Sequence, residues 1–310
     1  MPQGKSASIN ARHPSASPGT EGWVGVGLRH PHYRDAIEGN NNAVDFLEVH
    51  AENFFAEGGI LPSILEDVAN QYAISLHSTS MGLGSASGIN DGYLRRLSNL
   101  ADRINPVLIS DHASFAWSQY QGHDVHAGDL LPLEFSQTGL QVMIDNVDRV
   151  QQLLGRNILV ENLSAYIDLG PGEFQETEFL SELAHRTACG LLLDLNNLLV
   201  NAHNFSQEPA LTACMRWLDQ IPRDIVGEIH LAGYTPAGEG KLIVDDHSQA
   251  VSEECWTLYR YAIQRFGPVI TLIEWDNDLP KWDELLQQAQ FAKQIIAEEC
   301  TAIAIPGSIR

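Results

Sequence analysis

The chain has 310 residues, and its 40 Asp and Glu residues outnumber its 18 Lys and Arg residues, which gives a net charge of −22. A protein this acidic repels phosphate backbones and anionic lipid headgroups, so the charge argues against nucleic acids and membrane surfaces as partners. Hydrophobic residues make up 44% of the sequence, too many for a disordered chain, and no apolar run is long enough to span a bilayer.

The N-terminal segment and the cysteines both predict a cytoplasmic protein. Residues 1–22 contain Ser, Pro, Gly and Asn and lack the apolar core of about 7–15 residues that a secretory signal needs. We therefore expect a disordered tail at 1–22 before one domain at 23–310. Cys189, Cys214, Cys255 and Cys300 form no Cys-x-x-Cys pair, which disfavours a zinc knuckle or an iron–sulfur cluster. Scattered thiols of this kind are typical of reduced cytoplasmic proteins.

From residue 23 onward, short apolar runs alternate with longer amphipathic stretches. The apolar runs predict strands that are covered on both faces of a parallel sheet: Trp23–Leu28, Val44–Val49, Ala73–His77, Pro106–Ser110, Asn157–Val160, Gly190–Leu195, Ile225–Leu231 and Pro268–Glu274. The amphipathic stretches predict helices: Leu61–Tyr72, Asp91–Ile104, Leu140–Leu154, Glu176–Ala188, Pro209–Gln220, Gln249–Phe266 and Lys281–Cys300.

Eight strands alternating with helices predict either a closed (β/α)8 barrel of the TIM type or an open doubly wound sheet. The open sheet usually has a glycine-rich phosphate turn after an early strand. Gly25-Val26-Gly27 lies inside a strand and lacks the third glycine and the following helix, so we predict a single α/β barrel. The stretch 113–136, between the fourth strand and its helix, is unusually long and predicts a functional loop.

In a parallel barrel the carboxyl ends of the strands meet at one mouth, where catalysis takes place. Seven consecutive predicted strands deliver His, Asp or Glu there. A single such residue is usually a hydrogen-bonded histidine or a helix cap. So many carboxylates together need cations, and Arg29 and Lys241, the nearest ones, are too few. We therefore predict two or three metal ions, for which mixed His and carboxylate ligands favour iron, manganese or zinc.

Seven motifs follow one another along the chain: VDFLEVHAENFF (44–55), SLHSTSMGLG (75–84), ISDHASF (109–115), LVENLS (159–164), LDLNN (193–197), EIHLAG (228–233) and VDDHS (244–248). Their order and spacing resemble those of the multinuclear non-haem iron-dependent oxidative enzymes. The resemblance covers nearly the whole chain, from about residue 23 to about residue 290.

The resemblance implies a TIM-type barrel that holds two or three irons. It also implies a dioxygen-dependent oxidation of cysteine in a ribosomally synthesised precursor peptide, as in the biosynthesis of peptide natural products. Family members often act with a separate protein that presents the peptide. The acidity of this chain then predicts a neutral or basic surface on the leader of the peptide or on that partner.

Carried over position by position, the resemblance implies eight metal ligands: His50, His77, Glu161, Asp194, His230, Asp245, His247 and Glu274. Three further residues are expected as ligands or as supports for ligands: Asp111, Asn162 and Asn197. Asn197 stands where some relatives have histidine, so we expect either that one iron site is not fully occupied or that Asn197 is a weak oxygen ligand there. Glu161 is expected to bridge two irons. Two residues are expected to contact the substrate: His112 and Asn53.

Two other classes of protein fit part of the pattern. A metal-dependent hydrolase or isomerase on the same barrel would use similar ligands, but a sugar isomerase typically has a lysine at the mouth, and a phosphodiesterase needs basic residues for its phosphate. Only Lys241 lies near the predicted mouth. A non-catalytic metal-binding protein would not need so many converging ligands.

Overall fold

The computed structural model describes residues 21–39, 43–167, 169–236, 238 and 241–304, so the tail predicted at 1–22 lies almost wholly outside the described residues. The strands within these ranges are β1 (Val24–Gly27), β2 (Phe46–His50), β3 (Ala73–His77), β4 (Leu108–His112), β5 (Ser114–Tyr120), β6 (His123–Pro132), β7 (Leu159–Glu161), β8 (Gly190–Asp194), β9 (Val226–Leu231), β10 (Gly233–Thr235), β11 (Val244–Gln249) and β12 (Ile270–Ile273).

The helices in the same ranges are α1 (Tyr33–Glu38), α2 (Ile60–Ala69), α3 (Asp91–Ile104), α4 (Gln137–Leu154), α5 (Glu176–Thr187), α6 (Leu195–Phe205), α7 (Ala210–Gln220), α8 (Glu253–Phe266) and α9 (Trp282–Ala304). Side chains of Asn90, Ser136 and Ser252 cap α3, α4 and α8 by accepting backbone N–H groups of the first turn. None of the described helices combines the length and the hydropathy needed to cross a bilayer.

Eight of the described strands close into one parallel barrel in the order β1, β12, β9, β8, β7, β4, β3, β2. Each of them overlaps one of the eight predicted strands, and helices surround the barrel, so the predicted (β/α)8 fold is confirmed. The strands are buried along most of their length. This burial on both faces explains why they read as continuous apolar runs.

Two hairpins lie outside the barrel sheet, where the sequence predicts loops. The stretch 113–136 contains β5 and β6, which pair as antiparallel strands. Gln121 and Gly122 connect them with φ of 50° and 80°, the left-handed conformation that a two-residue hairpin turn requires. Glutamine does not mark such a turn, so the sequence contains only a weak signal for this hairpin. The second hairpin pairs β10 with β11, which carries Asp245 and His247.

Helix α6 begins directly where β8 ends. Asp194 caps the helix, because its Oδ1 accepts the backbone N–H of Asn197 at 2.6 Å. The sequence pattern extends the strand to Leu195 and predicts no helix between residues 195 and 209. This prediction is wrong, because α6 occupies Leu195–Phe205 and no loop residues mark the change from strand to helix. The direct connection places Asn196 and Asn197 in a helical first turn beside the mouth.

The amino end of the barrel interior is filled by three buried side chains, those of Phe46, Ile270 and Leu272. Gly25 makes room for them, because a Cβ at this position would lie 2.7 Å from the Phe46 ring. Side chains alternate along a strand, so the inward positions of β2 continue from Phe46 to Glu48 and His50. An apolar layer at one end of the barrel therefore supports a polar layer at the other.

Candidate metal centre

Strand β4 brings a histidine into the mouth that the sequence assigns to substrate contact. The strand ends at His112, two residues beyond the predicted end at Ser110. Residues two apart on a strand share a face, so His112 and Ser110 both point into the barrel. His112 is buried, and it lies among the candidate ligands.

His77, His112 and Glu161 form the first of several groups whose ligand atoms lie within 4.8 Å of one another. The Nε2 atoms of His77 and His112 are 3.5 and 3.3 Å from Glu161 Oε2. On the other side of its ring, His77 Nδ1 lies 2.8 Å from Ser110 Oγ. This contact fixes the imidazole and directs Nε2 toward the carboxylate.

A second group, Glu161, Asp194 and His230, shares Glu161 with the first, and a third group, Asp194, His247 and Glu274, shares Asp194 with the second. Glu274 Oε2 lies 3.0 Å from His230 Nδ1 and 3.3 Å from His247 Nδ1. Asp194 Oδ2 is 3.9 Å from His247 Nε2. Glu161 and Asp194 therefore each belong to two groups, as carboxylates that bridge neighbouring ions do.

The buried polar atoms at the mouth that have no hydrogen-bond partner within the described residues include Glu161 Oε2, Asp194 Oδ2, Asn197 Oδ1 and His230 Nε2. Buried polar atoms are normally paired, because leaving one without a partner costs about 1–3 kcal/mol. Carboxylate oxygens and imidazole nitrogens are the donors that iron, manganese and zinc accept. The unpartnered atoms therefore fit metal ions.

The electrostatics of the mouth lead to the same conclusion. Burial raises the pKa of Glu161 to about 8 and the pKa of Asp194 to about 7. Burial and the neighbouring His112 hold the pKa of His77 well below its usual value. Although burial disfavours the charged form, His247 and His230 hold the pKa of Glu274 well below its usual value. Positive ions among these side chains would stabilise the ionised carboxylates.

Asp245 reaches the third group from hairpin β10–β11. Its Oδ1 lies 2.8 Å from His247 Nε2 and accepts a hydrogen bond from Asn196 Nδ2 at 2.7 Å. Its Oδ2 accepts the Ser164 hydroxyl at 3.1 Å. Asp245 is therefore held in place from the first turn of α6 and from the segment after β7.

The three residues expected as ligands or as supports for ligands mostly hold neighbouring parts of the site in place. Asp111 accepts two backbone N–H groups, at 2.5 and 3.0 Å. The side chain of Asn162 forms two hydrogen bonds with the backbone of Asp194: it accepts the N–H at 2.9 Å and donates to the carbonyl at 3.0 Å. Asn197 donates to the carbonyl of Asn162 at 3.0 Å. Asn53 is exposed on the turn after β2 and is not among the residues that line the mouth.

The structure adds three acidic residues to the predicted set. Glu48 and Glu228 are buried below the mouth, with Oε1 atoms 3.6 and 3.9 Å from His230 Nε2. Their inward orientation follows from strand alternation with His50 and His230, a signal that the sequence does contain. Asp276 lies beyond the end of β12 and forms a group with His50 and Glu274.

The ligand groups line a cavity of about 200 Å³, the metal cavity, one wall of which is formed by Asp129 and Leu130 of β6. A second cavity of about 290 Å³, the apolar groove, lies beside it. The apolar side chains lining the groove are Ala113, Pro132, Leu133, Phe135, Leu163, Ala165, Ile167, Leu169, Pro171 and Phe205. Leu163 lines both cavities, so the two adjoin.

Comparison with known families agrees with this geometry. The family of RiPP precursor modification enzymes MbnB/TglH/ChrH (RiPP denotes a ribosomally synthesised and post-translationally modified peptide) matches residues 23–297. The chain belongs to this family. The resemblance inferred from the seven motifs is thereby confirmed. Membership makes the protein an enzyme of peptide modification and implies a precursor peptide as its substrate.

Individual relatives match over almost the same span. UPF0276 proteins of Chromobacterium violaceum and Acaryochloris marina are each 42% identical to this chain, over 275 and 276 residues, and each match covers 89% of this chain and 95% of the relative. Among solved structures, endonuclease IV from Thermus thermophilus has a TM-score of 0.56 at 16% identity, covering 89% of this chain and 99% of that one. This last likeness shows the fold alone.

Proposed function

We propose that this enzyme uses iron and dioxygen to oxidise cysteine within a ribosomally synthesised precursor peptide. The observation that carries the proposal is the sharing of Glu161 and Asp194 between adjoining groups of buried ligands. Shared carboxylates suit a row of neighbouring ions, whereas one ion needs only one group. Family membership supports the precursor peptide as substrate.

The proposed ligands divide into three groups. His77, His112 and Glu161 would hold the first iron; Glu161, Asp194 and His230 the second; and Asp194, His247 and Glu274 the third, with Asp245 beside His247. Asn197 Oδ1, which is buried and lacks a partner among the described residues, is proposed as a weak oxygen ligand. Carboxylates and imidazoles in this mixture suit iron and leave coordination positions open for substrate.

When bound, the irons would supply a site for the cysteine thiolate and would pass the electrons that cysteine loses to dioxygen. The chain itself contributes orientation. Ser110 holds the ring of His77, and Asn162 holds the backbone of Asp194. The hairpin β5–β6 covers the metal cavity with Asp129 and Leu130, so we propose that the stretch 113–136, expected to be a functional loop, contacts the peptide.

The apolar groove favours a peptide over a sugar or a phosphodiester. Its side chains include Ile167 and Leu169, which are 61% and 53% exposed, so the groove offers uncovered apolar surface beside the metal cavity. A peptide whose cysteine enters the metal cavity would place neighbouring side chains against this surface. Lys241 is exposed and does not line the metal cavity, so it supplies no cation for a phosphate.

The direct test is mass spectrometry of a cysteine-containing precursor peptide encoded beside this gene. After incubation with the iron-loaded enzyme in air, we expect a mass change at cysteine and consumption of dioxygen. A precursor with that cysteine replaced by serine is the matched control. An unchanged mass, or the same mass change without oxygen, would contradict the proposal.

The proposed partner protein is tested in the same assay. Adding the product of a neighbouring gene should raise the rate of modification, because the partner would bind the leader and bring the cysteine to the mouth. Complete modification of the isolated precursor at an unchanged rate would show that no presenting protein is needed.

The free thiols Cys189, Cys214 and Cys255 are buried, which supports the proposal of a cytoplasmic enzyme.

A further inference from the structure

A short stretch after β7, residues 163–167, separates the metal cavity from the apolar groove and is named the dividing segment. Its side chains alternate between the two cavities. Ser164 and Tyr166 line the metal cavity, whereas Ala165 and Ile167 line the groove. Such alternation is the pattern of an extended backbone, so the wall between the two cavities is one chain thick.

The metal-cavity side of the dividing segment holds Asp245 through two contacts. The Ser164 hydroxyl donates to Asp245 Oδ2 at 3.1 Å, and the Tyr166 hydroxyl oxygen accepts the backbone N–H of Asp245 at 2.9 Å. Asn196 Nδ2 donates to the other carboxylate oxygen, Oδ1, which lies 2.8 Å from His247 Nε2. A carboxylate oxygen has two lone pairs, so Oδ1 keeps one for an ion beside His247. The contacts therefore fix which oxygen of Asp245 faces the third group.

Helix α6 holds the beginning of the dividing segment. Asn201 Nδ2 donates to the carbonyl of Leu163 at 2.9 Å, and Asn201 Oδ1 accepts the backbone N–H of Ala165 at 2.8 Å. The same helix begins at its cap, Asp194, which belongs to the third group. The dividing segment is thus tied at one end to the helix that follows Asp194 and at the other end to Asp245.

The outer part of the dividing segment is less well packed than its inner part. Ser164 is buried, but Tyr166 and Ile167 are 39% and 61% exposed. The stretch lies outside the strands and helices, and backbone with little packing has conformational freedom to lose when a ligand binds. A peptide that covers Ile167 would order this stretch, and with it the hydroxyls that hold Asp245. An ion that binds afterwards would meet a carboxylate already in position.

We propose that Ser164 and Tyr166 are positioning residues for Asp245, and that a precursor peptide in the apolar groove strengthens the binding of the third ion through the dividing segment. The inference rests on the proposed function, because it takes the precursor as the occupant of the groove beside the metal cavity and iron as the ion. Coupling between two binding sites is reciprocal, so the third ion should strengthen the binding of the peptide by the same factor.

The first experiment titrates the full chain with ferrous iron without oxygen and determines the affinity of each ion. His247→Ala, which removes a proposed ligand, identifies the ion of the third group. Tyr166→Phe and Ser164→Ala each remove one hydroxyl that holds Asp245, and each should weaken that ion about 10-fold and leave the other ions unchanged. Tyr261→Phe is the control, because its hydroxyl donates to Asp219 on the outer helices.

The second experiment repeats the titration with a precursor in which serine replaces cysteine, so that no thiolate can bind iron. In the wild type, this peptide should raise the affinity of the third ion about 5-fold or more. In the double variant Ser164→Ala/Tyr166→Phe, the increase should be absent. Ile167→Ala should weaken peptide binding, and its matched control is Ile60→Ala, at an exposed isoleucine of α2.

Wild-type affinity for the third ion in both single variants would overturn the positioning role. A serine precursor that leaves the iron affinity of the wild type unchanged, or raises it equally in the double variant, would overturn the coupling. Circular dichroism establishes whether the double variant folds. If it does not, Tyr166→Phe, which removes a single oxygen atom, takes its place in the comparison.

These outcomes are separate from a failure of the proposed function. A wild type that binds no iron would overturn both the proposed function and the inference. A wild type that binds iron but leaves the cysteine precursor unmodified would overturn the proposed function, and the two titrations would still decide the inference.

Discussion

The two ends of the barrel interior are formed by the same strands, yet they differ in how fully their side chains are paired. At the amino end, Phe46, Ile270 and Leu272 are buried against one another. At the carboxyl end, Glu161 and Asp194 are equally buried but have oxygens without partners among the described residues. The amino end therefore provides stability, whereas the carboxyl end retains unpaired groups for binding.

The boundary between the two ends contains a pair of buried carboxyl groups. Ser75 donates a hydrogen bond to Glu48 at 2.9 Å, while both oxygens of Glu228 lack partners within the described part of the chain. Burial and the neighbouring Glu48 hold the pKa of Glu228 well above its usual value. A protonated Glu228 is the less costly form at such a position.

The largest effect is expected from Glu161→Gln, which changes the carboxylate shared by two groups. Glutamine has nearly the same shape but no negative charge, so the first and second groups should lose affinity for iron. We expect the loss of up to two ions and a decrease in peptide oxidation of about 100-fold or more. Glu176→Gln changes a half-buried carboxyl away from the proposed ligands, which accepts a hydrogen bond from Trp217, and should keep all ions. Full iron content in Glu161→Gln would contradict the claim that Glu161 binds ions in both the first and the second group.

The amino end should respond in the opposite way. Phe46→Ala removes a ring that is fully buried in the barrel, and it should lower the free energy of unfolding by about 3–5 kcal/mol. The folded fraction should still bind the wild-type number of ions, because Phe46 packs with Ile270 and Leu272, at the opposite end of the barrel interior from the proposed ligands. Urea unfolding measures the first quantity and elemental analysis the second. Phe205→Ala, at a half-exposed ring in the groove, should change stability far less.

A smaller effect is expected at Ser110, which contacts a proposed ligand but not an ion. Ser110→Ala removes the partner of His77 Nδ1, and the affinity of the first group should fall about 10-fold. Titration with ferrous iron should show weaker binding with an unchanged number of sites. The control is Ser114→Ala, because Ser114 is buried nearby and its hydroxyl has no partner among the described residues. Equal affinities in both variants would argue against a positioning role for Ser110.

The smallest effect is the proton release that accompanies binding. With pKa values of about 8 for Glu161 and about 7 for Asp194, these groups hold protons at pH 7 that metal ions must displace. Affinity should therefore fall as the pH decreases below about 8, where the protonated fraction of both groups increases. Calorimetry in two buffers of different ionisation enthalpy measures the protons released. An unchanged number of released protons in Glu161→Gln would contradict the assignment of one of these protons to Glu161.

The sequence predicts the barrel and most of the mouth because both depend on local patterns. Buried parallel strands appear as continuous apolar runs. Once the strands are located, the residues at their carboxyl ends, which form the mouth, are identified as well. The sequence predicts His112 as a substrate contact because it follows the predicted end of the strand at Ser110, whereas in the structure the strand continues to His112 and carries it into the barrel. Helix α6 was missed because Asp194 is both the last strand residue and the helix cap.

Other features depend on contacts between distant parts of the chain. Arg29 and Asp276 are 247 residues apart in sequence, so no local pattern joins them. The turn at Gln121 and Gly122 lacks the Asn-Gly or Asp-Gly pair that would have marked a hairpin. These features cannot be predicted from one sequence. Gly25 and Gly27 indicate only that large side chains, here Phe46 and Arg29, pack against the first strand.

The central claim is that the carboxyl end of the barrel holds several irons in groups joined by Glu161 and Asp194. The most direct measurement is the iron content of the wild-type chain purified without oxygen, determined together with protein concentration. The account predicts two or three irons per chain, matching the three groups that share these two carboxylates. One iron per chain, or none, would contradict it.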